Sequence, residues 1–321
     1  MGARVAAFCF ALVAAWPAPS HAESYPSRPI RLMVGQAPGG HSDVLGRIIA
    51  QRFAVTLRQP VVVENRGGAG GTIAAEAVAK SAADGYTLLF AGSNNLGLAL
   101  LVDKDLRYGA QDFAPIGAIA RVSYALAVNS AIPATNIAEL VAFARANPGK
   151  LNYATSGAAS MSSLGFDMLK RAAAIDIVAI PYKGSGAAVN DFLRGHVHMM
   201  FTDLAMLASL GSTGSVRLIA VSGSTRSAMA PDVATVAEQG HAELAIEPWY
   251  GLVAPAGTPP DIVAKLNETL RECLRAPEVR SQFERLGYVP IESSAAQLEA
   301  MIEQETRSFR SVLAPAAGMP H

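Results

Sequence analysis

Cysteine is almost missing from this chain of 321 residues, which has only Cys9 and Cys273. Cys9 lies in an N-terminal apolar run that reads as a removable leader, so Cys273 has no partner and no intramolecular disulfide is expected. An excess of one charge is missing too: 26 Lys+Arg balance 26 Asp+Glu, which excludes an electrostatic nucleic-acid binder. With 51% hydrophobic residues, the chain is too apolar to be disordered. Membrane-spanning runs are absent, because the apolar stretch Val5–Trp16 covers 12 residues where a transmembrane helix needs about 20. Nucleotide and hydrolase signatures are absent as well. Gly149-Lys150 is followed by Leu151 where a phosphate loop needs a hydroxyl, and no Gly-x-Ser-x-Gly elbow occurs.

What is present begins with the leader. Arg4, the run Val5–Trp16 and the segment Pro17–Ala22, ending in Ser20-His21-Ala22, follow the order of a secretory signal peptide. Residues 1–22 are therefore set apart, and the mature chain is expected to begin at Glu23. At roughly 100 to 200 residues per domain, its length fits two lobes. Cys273 falls among Ile262, Leu266, Thr269, Leu270 and Leu274 at helical spacing, so it reads as a core residue.

Short apolar strand patterns alternate with amphipathic helical ones along the chain. Ile30–Gly35 leads to a helix over Ser42–Leu57, Pro60–Glu64 to one over Gly70–Ala82, and Thr87–Ala91 to a short helical piece. The alternation resumes at Leu151–Ala154, Ile175–Pro181, Val197–Phe201 and Val216–Ser222. Such repetition predicts the α/β class, with parallel sheets covered by helices. Two extended segments, Phe113–Val128 and Glu247–Pro255, bracket the middle block. They suggest that the chain leaves one lobe, builds a second and returns. Helices over Pro259–Arg275, Pro277–Leu286 and Ala295–Leu313 then complete the first lobe.

Candidate chemistry sits in the strand-to-helix turns. After the first strand, Pro38-Gly39-Gly40 lets backbone pass close to a ligand. Ser42 and Asp43 then open a helix whose first N–H groups are free to meet an anion. In the middle block, Thr155-Ser156-Gly157 runs through further hydroxyl residues to Ser163 and into a helix; this second donor-rich start could take the other end of a small acid. An ordinary tight strand-to-helix turn is the alternative at the first. The cluster Gly68-Ala69-Gly70 lacks the third glycine of a dinucleotide turn, since Ile73 stands there. Asp203 ends an apolar strand, where its carboxylate would either face a crevice or cap the next helix. Lys183 is a cation beside that crevice or a solvated loop residue. Trp249 and Tyr250 suit aromatic packing at a hinge. His196 and His198 share a strand face but have no metal-ligating neighbours in sequence beyond Asp203. No metal, cofactor or catalytic residue is expected.

The stretches Tyr25-Pro-Ser-Arg-Pro-Ile-Arg-Leu32, Ala37-Pro-Gly-Gly40, Gln59-Pro-Val-Val-Val-Glu-Asn-Arg66, Asp84-Gly-Tyr-Thr-Leu-Leu89, Pro181-Tyr-Lys-Gly-Ser-Gly186 and Ala254-Pro-Ala-Gly-Thr-Pro259 resemble the solute-binding proteins of tripartite tricarboxylate transporters, the Bug (Bordetella uptake gene) family. The resemblance covers the mature chain in order. It implies a type II periplasmic binding protein fold, two doubly wound lobes around a ligand cleft, with lobe 1 formed by residues 23–124 and 247–321 and lobe 2 by 125–246. It also implies a monomer that captures a small carboxylate and delivers it to a membrane permease. Ligand-binding residues carry over to Gly39, Gly40 and Ser42, to Ser156 and Gly157 on the opposing lobe, and to Ser93 and Asp203 at strand ends. The sequence departs from the family pattern at Gln36, His41, Ser163 and His198, positions that bear on which acid is bound. Two other functions compete. One is a periplasmic sensor for the same ligand; the other is a secreted hydrolase, which would need a remote base such as His241 beside Ser42.

Overall fold

Two mixed β-sheets carry the fold. The computed structural model describes residues 25–155, 157, 160–182, 185–211 and 213–313. Its strands are β1 (Ile30–Val34), β2 (Val61–Asn65), β3 (Thr87–Gly92), β4 (Phe113–Val122), β5 (Tyr124–Asn129), β6 (Asn152–Thr155), β7 (Val178–Pro181), β8 (Met199–Asp203), β9 (Val216–Val221), β10 (Trp249–Pro255) and β11 (Tyr288–Pro290). Its helices are α1 (His41–Leu57), α2 (Thr72–Ala79), α3 (Ala99–Val102), α4 (Ile137–Ala146), α5 (Met161–Ala173), α6 (Ser185–Leu193), α7 (Leu204–Gly211), α8 (Pro260–Arg275), α9 (Pro277–Arg285) and α10 (Ala295–Leu313). The first sheet has the order β11-β4-β10-β3-β1-β2 and the second β7-β6-β8-β5-β9.

The central strands are mostly apolar, as strands covered on both faces must be. Every residue of β3 and of β8 is buried. β1 pairs in parallel with β2 and β3, and β6 in parallel with β7 and β8. The sheets are nonetheless not purely parallel. β10 runs antiparallel to β3 and β4, and β5 antiparallel to β8 and β9, because strands that carry the chain between sheets arrive from the opposite end. The extended stretch Phe113–Val128 is in fact two strands: Ser123 alone separates β4 of the first sheet from β5 of the second.

Both crossings lie side by side. The Val122 N–H donates to the Pro248 carbonyl at 2.8 Å, and the Ser222 hydroxyl to the Ile246 carbonyl at 2.6 Å. Arg121 pairs with Glu247 at 3.6 Å. Helices pack on both faces of each sheet: α1, α8 and α9 on one face of the first and α2 and α10 on the other. Cys273 lies in that first interface, fully buried, and burial pushes its thiol up to about 12. The sequence pattern did not announce α4. Its N-cap is Asn136, whose side chain accepts from the Glu139 N–H at 2.9 Å while Glu139 accepts from the Thr135 N–H at 2.8 Å.

The glycine cluster at 68–71 has a packing role. A Cβ on Gly35 would lie 2.5 Å from the Cα of Gly71, so the turns after β1 and β2 touch backbone to backbone. Gly68, Gly70 and Gly71 all have positive φ, which lets the second turn fold beneath the first.

Candidate ligand-binding site

The described residues among those expected to bind a ligand lie at the carboxyl ends of central strands. Gly39, Gly40 and Ser42 follow β1, Ser93 follows β3, Gly157 follows β6 and Asp203 closes β8. Ser156 and Lys183 lie outside the described residues. β1 stands between β2 and β3, and β6 between β7 and β8. In each sheet the chain therefore turns to opposite sides after the middle strand, the topology at which open α/β sheets bind ligands.

In the first lobe the turn is held from within. Asp43, 3% exposed, accepts from the Gly39 N–H at 2.9 Å, from Asn65 at 2.9 Å and from the Arg47 guanidinium at 2.8 and 3.0 Å. Burial alone would raise its pKa, but these donors outweigh it and hold the carboxyl below its usual range. The Gly40 N–H donates to the Ala37 carbonyl at 3.1 Å. The Ser42 N–H, at the start of α1, donates to Oε1 of Gln36 at 2.9 Å. Gly39, Gly40 and Ser42 thus have N–H groups that already meet oxygen atoms of the protein.

The second lobe presents hydroxyls. Ser160 caps α5, and its hydroxyl and that of Ser163 donate to the Gly157 carbonyl at 2.6 and 2.9 Å. Thr155 Oγ1 joins both serines, and Ser162 lies 2.9 Å from Ser160. Thr202, next to Asp203, donates to the Ser185 hydroxyl at the start of α6 at 2.9 Å. Between them is a cavity of about 10 Å³ lined by Thr155, Ser162, Tyr182 and Ser185 on its polar side, room for one water.

The two lobes meet through side chains that span the hinge. Asp203, 2% exposed, uses Oδ1 to accept from the Ala205 N–H at 2.9 Å, capping α7, and Oδ2 to accept from the Tyr288 hydroxyl at 2.8 Å. Of the two alternatives read from the sequence, the structure shows the cap on α7, and the second carboxylate oxygen meets a phenol of the first lobe. Burial, followed by the Asp203 charge, raises the pKa of Tyr250 well above the ordinary phenol value. Tyr288 is raised further for the same two reasons. Ser93 does not stand alone: it donates to Oε1 of Glu305 at 2.7 Å and accepts the backbone N–H of Trp249 at 3.0 Å, while Nε1 of Trp249 donates to Oε2 of Glu305 at 2.8 Å. Next to it, Oδ1 of Asn94 accepts the Met161 N–H at the start of α5 at 3.2 Å. A path of contacts runs Tyr250, Gly92, Ser93, Asn94, Met161, joining the second crossing to the start of α5.

Sequence reasoning missed Tyr288, Asn94 and Glu305. One signal was available. Leu298, Ile302 and Phe309 mark the buried face of α10, and Glu305 falls at helical spacing within that stripe, an acid where an apolar residue belongs. His41 packs edge-on to Tyr288, with ring centroids 6.5 Å apart. His241, the base a hydrolase would need, pairs with Glu243 at 3.1 Å, and neither Ser42 nor Asp43 is joined to it. His198 uses Nδ1 to accept the Asn152 N–H at 3.1 Å, joining the starts of β6 and β8. No cluster of three or more metal-ligating side chains occurs among the described residues.

Two α/β sheets joined by adjacent crossing strands, with donor-rich turns at their strand ends, define the fold of a solute-binding protein of the periplasmic type. The model of the tripartite tricarboxylate transporter family receptor matches residues 45–315. BugT of Bordetella pertussis is 35% identical over 306 residues, 95% of this chain and 94% of that protein. MatC from Rhodopseudomonas palustris, solved with bound malate, is 30% identical with a TM-score of 0.83, covering 90% of this chain and 99% of that one. Rpa4515 of R. palustris, solved with adipate, is 32% identical with a TM-score of 0.84, covering 90% and 97%. The chain belongs to the tripartite tricarboxylate transporter receptor family, whose members are solute-binding proteins and not enzymes.

Proposed function

We propose that this protein captures a small organic carboxylate between its lobes in the periplasm and hands it to the membrane subunits of a tripartite tricarboxylate-type transporter. Lobe 1 comprises residues 23–124 and 247–321, lobe 2 residues 125–246, and residues 1–22 direct export and are removed. The observation that supports the reading is that helix-start and hydroxyl donors follow the carboxyl ends of β1, β3, β6 and β8. Each helix start already meets an amide oxygen from outside its own helix, Gln36 at α1 and Asn94 at α5. A ligand carboxylate oxygen has the same geometry with more charge. Relatives with malate and adipate bound point to dicarboxylates. Four charge-assisted hydrogen bonds at about 1.5–3 kcal/mol each total about 6–12 kcal/mol before ordering costs. A micromolar Kd requires about 8 kcal/mol.

Isothermal calorimetry with succinate, malate, adipate, citrate and a monocarboxylate tests the proposal. At least one acid should bind with about micromolar Kd and raise the melting temperature. Silence across the panel in both measurements would overturn it.

A further inference from the structure

Glu305 is the one acid on the buried stripe of α10, and its carboxylate is tied to two elements of the crevice. Ser93 follows β3 beside the contact between Asn94 and lobe 2, and Trp249 opens β10 at the second crossing. The third neighbour is Gly97, where a Cβ would lie 2.6 Å from Oε2. Only glycine leaves room for the carboxylate there.

The charged groups around it are few. β4 supplies Arg121, which is paired with Glu247 at 3.6 Å. Residues 94–102 contain no ionisable side chain, and Tyr108 packs behind them with its hydroxyl on the Asn95 carbonyl at 2.6 Å. β10 supplies the indole of Trp249 and the Tyr250 phenol. α8 reaches the start of α10 through Asn267 and the Ser293 carbonyl, and α5 reaches its end through Arg171 and the Val312 carbonyl. On α10 itself, Glu303 and Arg307 pair with each other at 3.4 Å, both exposed. Among the described residues no cation touches Glu305. Burial pushes its pKa up to about 7, against the pull of the Ser93 and Trp249 hydrogen bonds and of Arg121.

We propose that Glu305 is a positioning residue for ligand capture: it takes up a proton when a carboxylate enters the cleft and thereby turns the Ser93 hydroxyl away from itself and toward the ligand. The inference rests on the reading of the cleft as a carboxylate site. While Glu305 is ionised, Ser93 must spend its only proton on Oε1. Once Oε1 is protonated, it donates to Ser93 Oγ, which still accepts the Trp249 N–H, and the serine proton is free to point elsewhere. Oε2 continues to accept from the indole. One O–H bond forms, its proton comes from solvent, and no other bond changes. Neutralising Glu305 also removes a like charge from the neighbourhood of an incoming anion, so hydroxyl geometry and electrostatics act in the same direction.

The test is calorimetry with the same acid panel from about pH 6 to about pH 8, in buffers of different ionisation enthalpy, on the wild type and Glu305→Gln. The wild type should bind up to about tenfold more weakly at the upper pH and take up as much as about half a proton per acid bound near pH 7, and more toward pH 8. The glutamine variant, whose amide donates to Ser93 as the protonated acid would, should keep the low-pH affinity throughout and take up less. Ionisation of the acids themselves pushes the other way and is common to both proteins. Matching pH profiles, or a variant weakened equally at every pH, would overturn the proposal. So would absence of proton uptake by the wild type, which decides the matter even if the variant fails to fold. Absence of binding at any pH would instead remove the carboxylate reading, and this proposal with it.

Discussion

At the scale of single residues, Asp203 does two things with one carboxylate. It caps α7 with Oδ1 and holds Tyr288 with Oδ2, and both residues are buried. Tyr288→Phe keeps the ring against Phe283 and Tyr250 but leaves a buried carboxylate oxygen without its donor. The expected loss is about 1–3 kcal/mol of stability, read as a lower urea midpoint at unchanged slope. An unchanged midpoint would show that another donor takes the phenol's place. The position of Asp203 was legible in the sequence, since an acid ending the apolar run Met199–Thr202 must lie at a strand end. Its partner was not. Tyr288 stands 85 positions away, on a three-residue edge strand too short for any periodicity to reveal.

At the scale of elements, the glycines show how a motif changes meaning once its neighbours are known. Gly68-Ala69-Gly70-Gly71 looks like part of a phosphate-binding turn, yet its backbone packs against Gly35 of the turn after β1. Gly35→Ala sets a methyl group 2.5 Å from a backbone atom that no rotamer change can move, so destabilisation of about 1–3 kcal/mol is expected. It should come with weaker acid binding in calorimetry, because the same turn positions Gln36 and the start of α1. A variant as stable as the wild type would mean that the two turns separate at little cost. Strand and helix positions were largely readable, because buried parallel strands leave unbroken apolar runs. The break at Ser123 was not, since β4 and β5 are both apolar and nothing local marks the change of sheet.

At the scale of the whole molecule, the lobes are joined by more than the crossings. α10 packs Leu298 and Ile302 into the core of the first sheet and Phe309 into that of the second, and Leu98 also reaches the second core. Closure of the kind proposed would bend the chain at residues 122–124 and 246–249 while α10 bears on both sheets. Small-angle scattering should give a radius of gyration near about 19 Å for the mature chain, decreasing when a binding acid from the panel is added. A binding acid that leaves the scattering curve unchanged would mean that the ligand enters lobes already closed.

The sequence by itself determined the α/β class, the strand-to-helix turns and the order in which the polar turns follow the strands. Each of these depends on residues near one another in the chain: apolar runs, capping types and glycine. Tertiary structure alone decided which of those turns face each other, that Asn94 reaches the start of α5, that Tyr288 holds Asp203, and that Ser93 and Trp249 share Glu305. Those pairings join residues from 67 to 212 positions apart for all but the indole contact, which spans 56. Local pattern carries no record of such distances, because the choice between partners is made by burial, where a polar group must find another polar group once water is gone.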